Sequence, residues 1–445
     1  MTGITDLPAE LLSLIGFLVT PADIINLRQT SRHILTSLDD VFAHYFFRYR
    51  SHLYTRHSME VLHEISSRQY LRKSLECVEI HIPFEDLYDL PAANGVQKQF
   101  ECMESFFSGR QLVILEDNQS HIKEDIRLNV FRLLESSLHN LACAGIIPNL
   151  TFHRYDVMRF QERERPAYGT KALSRLHWLP PDRPSAYRSE VQVDVAARIA
   201  LEAIARASFP AQSLDLCGWP LEKCGFLTQE AIRSSAWSFE GPTHKALILA
   251  LGSNLRSFST TIKSEDLVKI SIKKPQRIAG EHHSIGEIIL SCPNLKKLRL
   301  GLCPMLHGPY YSVRDFGEHY GRFLLDWLAN CRLETLELIT GAFYWDDLEN
   351  VLKSHNASLQ RLALLDVHLS SWMEWHSCAS YLMDELALIH LHLRDNSTWE
   401  RMRYHERRPY IVTESTDSVE KKTLGDHEIA GRDEIRQMLL MVRDP

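Results

Sequence analysis

From Ala9 to Thr20 the chain is apolar at Leu11, Leu12, Leu14, Ile15, Phe17, Leu18 and Val19. Only Ala9, Ser13, Gly16 and Thr20 form a narrow stripe of small or polar positions. A surface helix that buries one face shows a single apolar stripe, so this segment predicts a helix loaded on two faces. Pro8 suits its first turn, where the missing N–H costs nothing and the fixed φ helps. Thr20-Pro21-Ala22-Asp23 then predicts a second helix, with Thr20 as N-cap, Pro21 at the first position and Asp23 closing a capping box. Ile24, Leu27, Ile34 and Leu38 supply its inner face. A helical unit of roughly 40 residues is near the lower limit for independent stability, so its surplus apolar face calls for a partner.

Further along, Phe46–Leu53 reads as a strand. Ser58 is placed to cap a short helix containing Met59, Leu62 and Ile65, and Leu75–Ile82 alternates like another strand. In the C-terminal half a Leu-x-x-Leu-x-Leu strand signal recurs: Leu295-Leu298-Leu300, Leu333-Leu336-Leu338, Leu359-Leu362-Leu364, Leu386-Ile389-Leu391 and, with substitutions, Leu267-Ile270-Ile272. The starts at 267, 295, 333, 359 and 386 are separated by 28, 38, 26 and 27 residues, the longest step holding an insertion at 304–311. Between the strands lie helical spacings: Ile285, Ile288, Ile289 and Cys292; Phe316, Tyr320, Phe323, Leu324, Trp327 and Leu328; Leu348, Val351 and Leu352. Upstream the alternation is looser. A strand at Leu112–Leu115, a helix from Ile126 to Leu141 ended by Gly145, a helix at Val191–Ala207 and a strand at Ser213–Cys217 set no regular period. Leu255–Ile262 lies too close to Leu267 for a full repeat of its own. Residues 413–432 are polar and read as a flexible connection. Ile435, Met438, Leu439 and Val442 then suit a helix that packs on the end of the array or frays.

The opening residues carry a resemblance. Leu7-Pro8-x-Glu10-Leu11-Leu12-x-x-Ile15, with Val19, Asp23-Ile24, Leu27-Arg28 and Ser31-Arg32 at matching spacing, resembles an F-box. That helical module docks onto the adaptor subunit of SCF-type cullin–RING ubiquitin ligases. The sequence departs from the pattern in carrying Val19 where Leu is frequent, and His33-Ile34 where an aromatic frequently follows the basic residue. The strand, short helix and strand after the module resemble many filamentous-fungal F-box proteins. The resemblance implies that Leu7, Pro8, Leu11, Leu12, Ile15, Val19, Ile24 and Leu27 face the adaptor or close the module's own core. Three of the four downstream steps fall in the range of leucine-rich repeats, whose units cannot bury their apolar faces alone and do so by stacking.

The expected fold class is therefore α/β: an N-terminal all-α F-box helical module followed by an irregular leucine-rich-repeat-like strand–helix solenoid. A plain α/β domain whose amphipathic strands mimic repeats is the alternative. The expected organisation is 4–40 F-box, 41–110 strand–helix–strand connection, 111–412 irregular repeat domain with its clearest repeats at 267–395, and 413–445 polar linker and terminal helix.

Composition narrows the function classes. The 445 residues carry 50 basic and 57 acidic side chains, a net charge of −7, which argues against bulk nucleic-acid or membrane binding. Asp6 and Glu10 flank the first apolar run where a signal peptide would have Lys or Arg, and no segment is long enough to span a bilayer. The expected location is intracellular, in cytoplasm, nucleus or both. That makes the sequons at Asn118, Asn149, Asn356 and Asn396 chance matches. The nine cysteines are scattered with no Cys-x-x-Cys pair, and Cys217 and Cys224 lack zinc-knuckle company, so they read as buried reduced thiols. No phosphate loop, Gly-x-Ser-x-Gly or His-Glu-x-x-His is present. His282-His283 and the group His376, His390 and His392 lack accompanying ligands, Asp346-Asp347 suit the start of a helix, and Arg159, Arg163 and Arg165 read as a solvated loop. No catalytic residue, metal or cofactor is expected.

If the repeat leucines point inward, alternate positions face outward. Lys269 and Lys273, Lys297 and Arg299, Thr335 and Glu337, Arg361, then His390 and His392 share that face. This mostly basic stripe is either a solvated strand face or a target-binding surface suited to an acidic or phosphorylated protein partner. The expected role is a non-catalytic substrate receptor of an SCF-type ligase, joined through the adaptor to the cullin and holding a protein target for ubiquitin-dependent degradation. The alternative is an F-box interaction scaffold acting outside the ligase.

Overall fold

A computed structural model describes residues 3–82, 119–154, 190–216, 242–263, 284–303, 324–394, 396–398 and 427–443. Lys269 and Lys273, the Leu267–Ile272 repeat, the strand expected at Leu112–Leu115, the arginines at 159–165, Cys217 with Cys224, and His282-His283 lie outside the described residues. The fold is mixed α/β with a parallel-dominated sheet and many helices. The chain divides into two compact units, residues 1–184 with 192–212, and residues 185–191 with 213–445.

The first unit opens with four helices: α1 (Ala9–Leu18), α2 (Pro21–Arg28), α3 (Arg32–Ser37) and α4 (Asp39–Phe47). The capping box expected at Thr20 forms. Thr20 Oγ1 accepts from the Asp23 N–H at 3.3 Å, and the Thr20 N–H donates to Asp23 Oδ2 at 3.3 Å. Ser31 caps α3 by accepting from the Ile34 N–H at 3.1 Å. Two strand boundaries shift from those expected. α4 runs on through Phe47, so β1 spans only Tyr49–Leu53, and β2 spans Cys77–Ile82. Between them α5 (Arg56–Ser67) starts two residues ahead of Ser58, and α6 is Gln69–Arg72. Ser58 is thus inside the helix, where its carbonyl and hydroxyl both lie 3.1 Å from Nδ1 of buried His52. α7 (Gln119–Cys143) leads through Gly145, at φ +68°, to β3 (Asn149–Arg154), and α8 is Glu190–Ala207. β1, β2 and β3 pair in parallel. Met59, Leu62 and Ile65 of α5 are buried, as are Val130, Leu134, Leu138 and Leu141 of α7, and the two helices pack together.

The second unit alternates strand and helix: β4 (Ser213–Asp215), α9 (Pro242–Leu251), β5 (Ser257–Lys263), α10 (Ser284–Leu290), β6 (Lys297–Cys303), a helical turn at 324–328, β7 (Thr335–Phe343), α11 (Trp345–Ser354), β8 (Arg361–Leu369), α12 (Trp372–Asp384) and β9 (His390–Arg394). β4 to β9 pair successively in parallel. β10 (Ser397–Thr398) adds to the far end of β8, and β11 (His427–Ala430) runs antiparallel to β9. β11 falls in the stretch expected to be a flexible connection; backbone pairing to β9 overrides its polar composition. It continues into α13 (Arg432–Arg443), whose Ile435, Met438 and Leu439 are buried and which packs against α12. This closing pair covers a sheet edge that would otherwise present unpaired N–H and C=O groups.

Strands β5 to β9 repeat one local pattern. A buried apolar residue stands three positions before the first of two buried strand residues: Leu255-Phe258-Thr260, Leu295-Leu298-Leu300, Leu333-Leu336-Leu338, Leu359-Leu362-Leu364 and Leu388-Leu391-Leu393. Two expectations are corrected here. Leu255–Ile262 is a full strand of the series, with β5 paired to β6 along its whole length. The last strand follows the frame Leu388-Leu391-Leu393, not Leu386-Ile389-Leu391, and Ile389 is half exposed. The backbone repeats as well. The carbonyl just before each strand accepts two N–H groups from the next: Arg256 from Lys296 and Lys297, Lys296 from Glu334 and Thr335, Glu334 from Gln360 and Arg361, Gln360 from Ile389 and His390. After β9, buried Asn396 bridges β8, accepting from the Val367 N–H at 2.7 Å and donating to the Leu364 carbonyl at 2.9 Å.

Candidate functional site

The N-terminal helices form a core of their own. Leu12, Ile24, Ile34, Leu38 and Val41 are buried together, with Leu7, Val19, Leu27, Phe42 and Tyr45 packed against them. Gly16 lets α1 approach α4 closely: a Cβ there would lie 2.8 Å from Leu38 Cδ2 and 3.1 Å from Val41 Cγ1. Arg28 fastens the far end. Its guanidinium donates to Asp39 Oδ1 at 2.7 Å and to the Leu35 carbonyl at 3.0 Å, and stacks 4.1 Å from the Phe42 ring centroid. Tyr45 Oη donates to the Phe17 carbonyl at 3.2 Å, and His33 Nε2 lies 3.1 Å from the Leu7 carbonyl.

Having closed that core, the module still shows a greasy outer face. Leu11, Leu14 and Leu18 recur at helical spacing along α1 and are 46, 60 and 86% exposed. Phe17, Ile25 and Leu35 add to the exposed apolar side chains of the module. The eight positions implied by the resemblance therefore divide. Leu12 and Ile24 are fully buried and belong to the module's core; Leu7, Ile15, Val19 and Leu27 are half-buried; Pro8 and Leu11 are exposed. Leu14 and Leu18, absent from that set, are the most open. The apolar pattern alone does not single them out: α4 approaches α1 at Gly16 through Leu38 and Val41, and that leaves the side of Leu14 and Leu18 open.

The second surface is the sheet face opposite the buried leucines. Strand register lines up Ser257, Lys297, Thr335, Arg361 and His390 in one row, and Ser259, Arg299, Glu337, Ala363 and His392 in the next. Lys297 and Arg361 are exposed; Arg299, His390 and His392 are half-buried. Arg299 is ion-paired with Glu337 at 3.3 Å, and Lys296, one residue before the row, with Glu334 at 2.5 Å. Farther along the strands Ile339, Ala363 and Leu365 form a buried cluster, so the open part of this face lies at the strands' N-terminal ends.

Among the described residues no group of three or more His, Cys, Asp or Glu is arranged to hold a metal ion, and no helix is long and apolar enough to cross a membrane. Burial pushes the Cys292 thiol up to about 11 and the Cys331 thiol up to about 12, so both stay protonated at neutral pH and pack as small hydrophobes. Asp346 and Asp347 fall in the first turn of α11, where negative charge offsets orphan N–H groups. No protein-family model matches this chain, and no curated protein is significantly similar to it.

Proposed function

We propose that this chain is a substrate-receptor subunit of an SCF-type cullin–RING ubiquitin ligase, working inside the cell. In this reading α1–α4 are an F-box that docks on the adaptor. The strand–helix units form a degenerate leucine-rich-repeat solenoid that holds a protein target. The chain makes no bond itself; tethering raises the local concentration of a target lysine beside the ubiquitin-charged enzyme. The observation that carries the reading is the stripe of Leu11, Leu14 and Leu18, left open by helices that have already closed a core of their own. An exposed apolar patch of this kind marks an interaction surface. The recurring strand pattern and its two-pronged carbonyl acceptors support the repeat reading over a plain α/β domain, because an unrelated set of strands has no cause to repeat its first turn.

The test is co-purification of adaptor and cullin with the full-length chain, wild type against Leu14→Ala/Leu18→Ala. The wild type is expected to bring down both and the variant neither. Adaptor without cullin would favour a scaffold acting outside the ligase. Undiminished capture by the variant would refute the docking surface.

A further inference from the structure

Val19 and Thr20 join α1 to α2 in extended backbone, at φ −97°, ψ 165° and φ −70°, ψ 155°. Thr20, Pro21, Ala22 and Asp23 are all exposed, and Ile24 is the first buried residue after them. Of the 18 prolines in the chain, Pro21 is the one that follows a serine or threonine. A Thr-Pro pair in open, extended backbone is the acceptor that proline-directed protein kinases take. The hydroxyl also stands where a charge would matter. It lies two residues beyond Leu18, the most exposed leucine of the α1 stripe, and it donates to Asp23 Oδ2 at 2.6 Å. Arg28, the one basic side chain of α2, is held at the other end of the helix by Asp39 and the Leu35 carbonyl.

We propose that Thr20 is a phosphorylation site that controls the docking face of α1. The co-reactants are a protein kinase and a magnesium-bound nucleoside triphosphate. Thr20 Oγ1 attacks the γ-phosphorus, the bond to the bridging β–γ oxygen breaks, the hydroxyl proton passes to the kinase's base, and the diphosphate leaves. The phosphate brings about −1.5 to −2 charges beside Leu18. Within the module two effects then oppose one another. The ester oxygen has no hydrogen to give Asp23 and the dianion repels that carboxylate, whereas the N-terminal end of α2 favours negative charge. The module therefore keeps its fold. At the docking face nothing offsets the change. A partner covering Leu14 and Leu18 strips water from the phosphate beside them, and Arg28, the cation of α2, is engaged by Asp39. This role for Thr20 rests on the receptor reading and gives it an off-switch.

The full-length chain is treated with a purified proline-directed kinase and ATP, and the modified residues are mapped by mass spectrometry. Adaptor binding and thermal melts are measured before and after treatment, for wild type and for Thr20→Asn. Asparagine caps a helix as well as threonine does but accepts no phosphate. In wild type, Thr20 is expected to be modified, adaptor binding to weaken about tenfold or more, and the melt to stay where it was. Thr20→Asn should bind the adaptor equally before and after treatment. Four results would each overturn the assignment: Thr20 left unmodified, undiminished binding by the phosphorylated chain, binding lost equally in treated Thr20→Asn, or an early melt after phosphorylation. Untreated wild type that binds no adaptor would remove the receptor reading and this inference together. Binding that phosphorylation leaves unchanged removes this inference alone.

Discussion

If α1 docks on an adaptor as proposed, truncating two of its leucines should break that binding while leaving the fold untouched. Leu18 is 86% exposed and Leu14 is 60% exposed, so neither contributes much to the chain's own core. Fully burying a leucine is worth about 1.5–3 kcal/mol. Covering the exposed fractions of both, less the Cβ that alanine retains, amounts to about 2–3 kcal/mol. That corresponds to binding weaker by about thirty- to 150-fold. Leu12→Ala is the contrasting perturbation. It empties a fully buried site beside Ile24, Ile34 and Leu38 and should cost about 2–5 kcal/mol of stability. Calorimetric titration of purified adaptor into each chain, with thermal melts alongside, separates the two effects. Leu14→Ala/Leu18→Ala should melt as wild type does and bind weakly; Leu12→Ala should melt early. A double variant that binds within twofold of wild type, or one that melts as early as Leu12→Ala, would show that the stripe is not a free docking face.

Three further outcomes follow from buried groups. Burial holds the His52 imidazole down to about 3, from an ordinary value near 6.5, so the unfolded chain takes up a proton that the folded chain does not. The stability this neutral histidine contributes is fully present above pH 6.5 and is lost as pH falls toward 3, by about 2 kcal/mol at pH 5; His52→Gln should flatten melting temperature against pH over that window, and an unchanged slope would refute the assignment. Asn396→Ala removes both side-chain bonds to β8 and orphans the Val367 N–H and Leu364 carbonyl; a loss of about 2–4 kcal/mol in denaturant unfolding is expected, and less than about 0.5 kcal/mol would rule the bridge out as a stabilising element. Gly286 packs its α-carbon against the Trp327 indole, leaving no room for a side chain; Gly286→Ala should displace the ring and cost about 1–3 kcal/mol, seen as a lower unfolding midpoint together with altered near-ultraviolet dichroism.

Much of the N-terminal module was legible because its signals are local. A capping box needs only four residues in order, and Thr20 with Asp23 makes it. The excess of apolar residues on α1 was also legible, but its division between inside and outside was not. Leu11 and Leu12 are neighbours in sequence and opposites in burial, 46% and 2% exposed. Only the direction from which α4 approaches, set at Gly16 by Leu38 and Val41, decides which of the two faces solvent. The same holds for Arg28, whose value to the module lies in reaching Asp39 across two helices.

The recurring strand pattern shows how a periodic signal misleads when two frames are both apolar. Around β9, Leu386, Leu388, Ile389, Leu391 and Leu393 satisfy the leucine pattern in more than one register. Hydrophobicity alone cannot choose, since Leu386 and Leu388 are both buried. Pairing chooses. The Gln360 carbonyl accepts from the N–H groups of Ile389 and His390, which starts the strand at His390 and turns Ile389 outward. A frame starting at Leu388 then puts Asn396 eight residues on, at the position where it bridges back to β8. Leu255–Ile262 failed the spacing argument for the converse reason. Measured against Leu267 it was too close, but β5 takes its place in the series from the Arg256 carbonyl that receives Lys296 and Lys297. Repeat length measures only how many residues connect one strand to the next. What recurs from strand to strand is the turn into the sheet, and that turn fixes which residues of the outer face stand in one row.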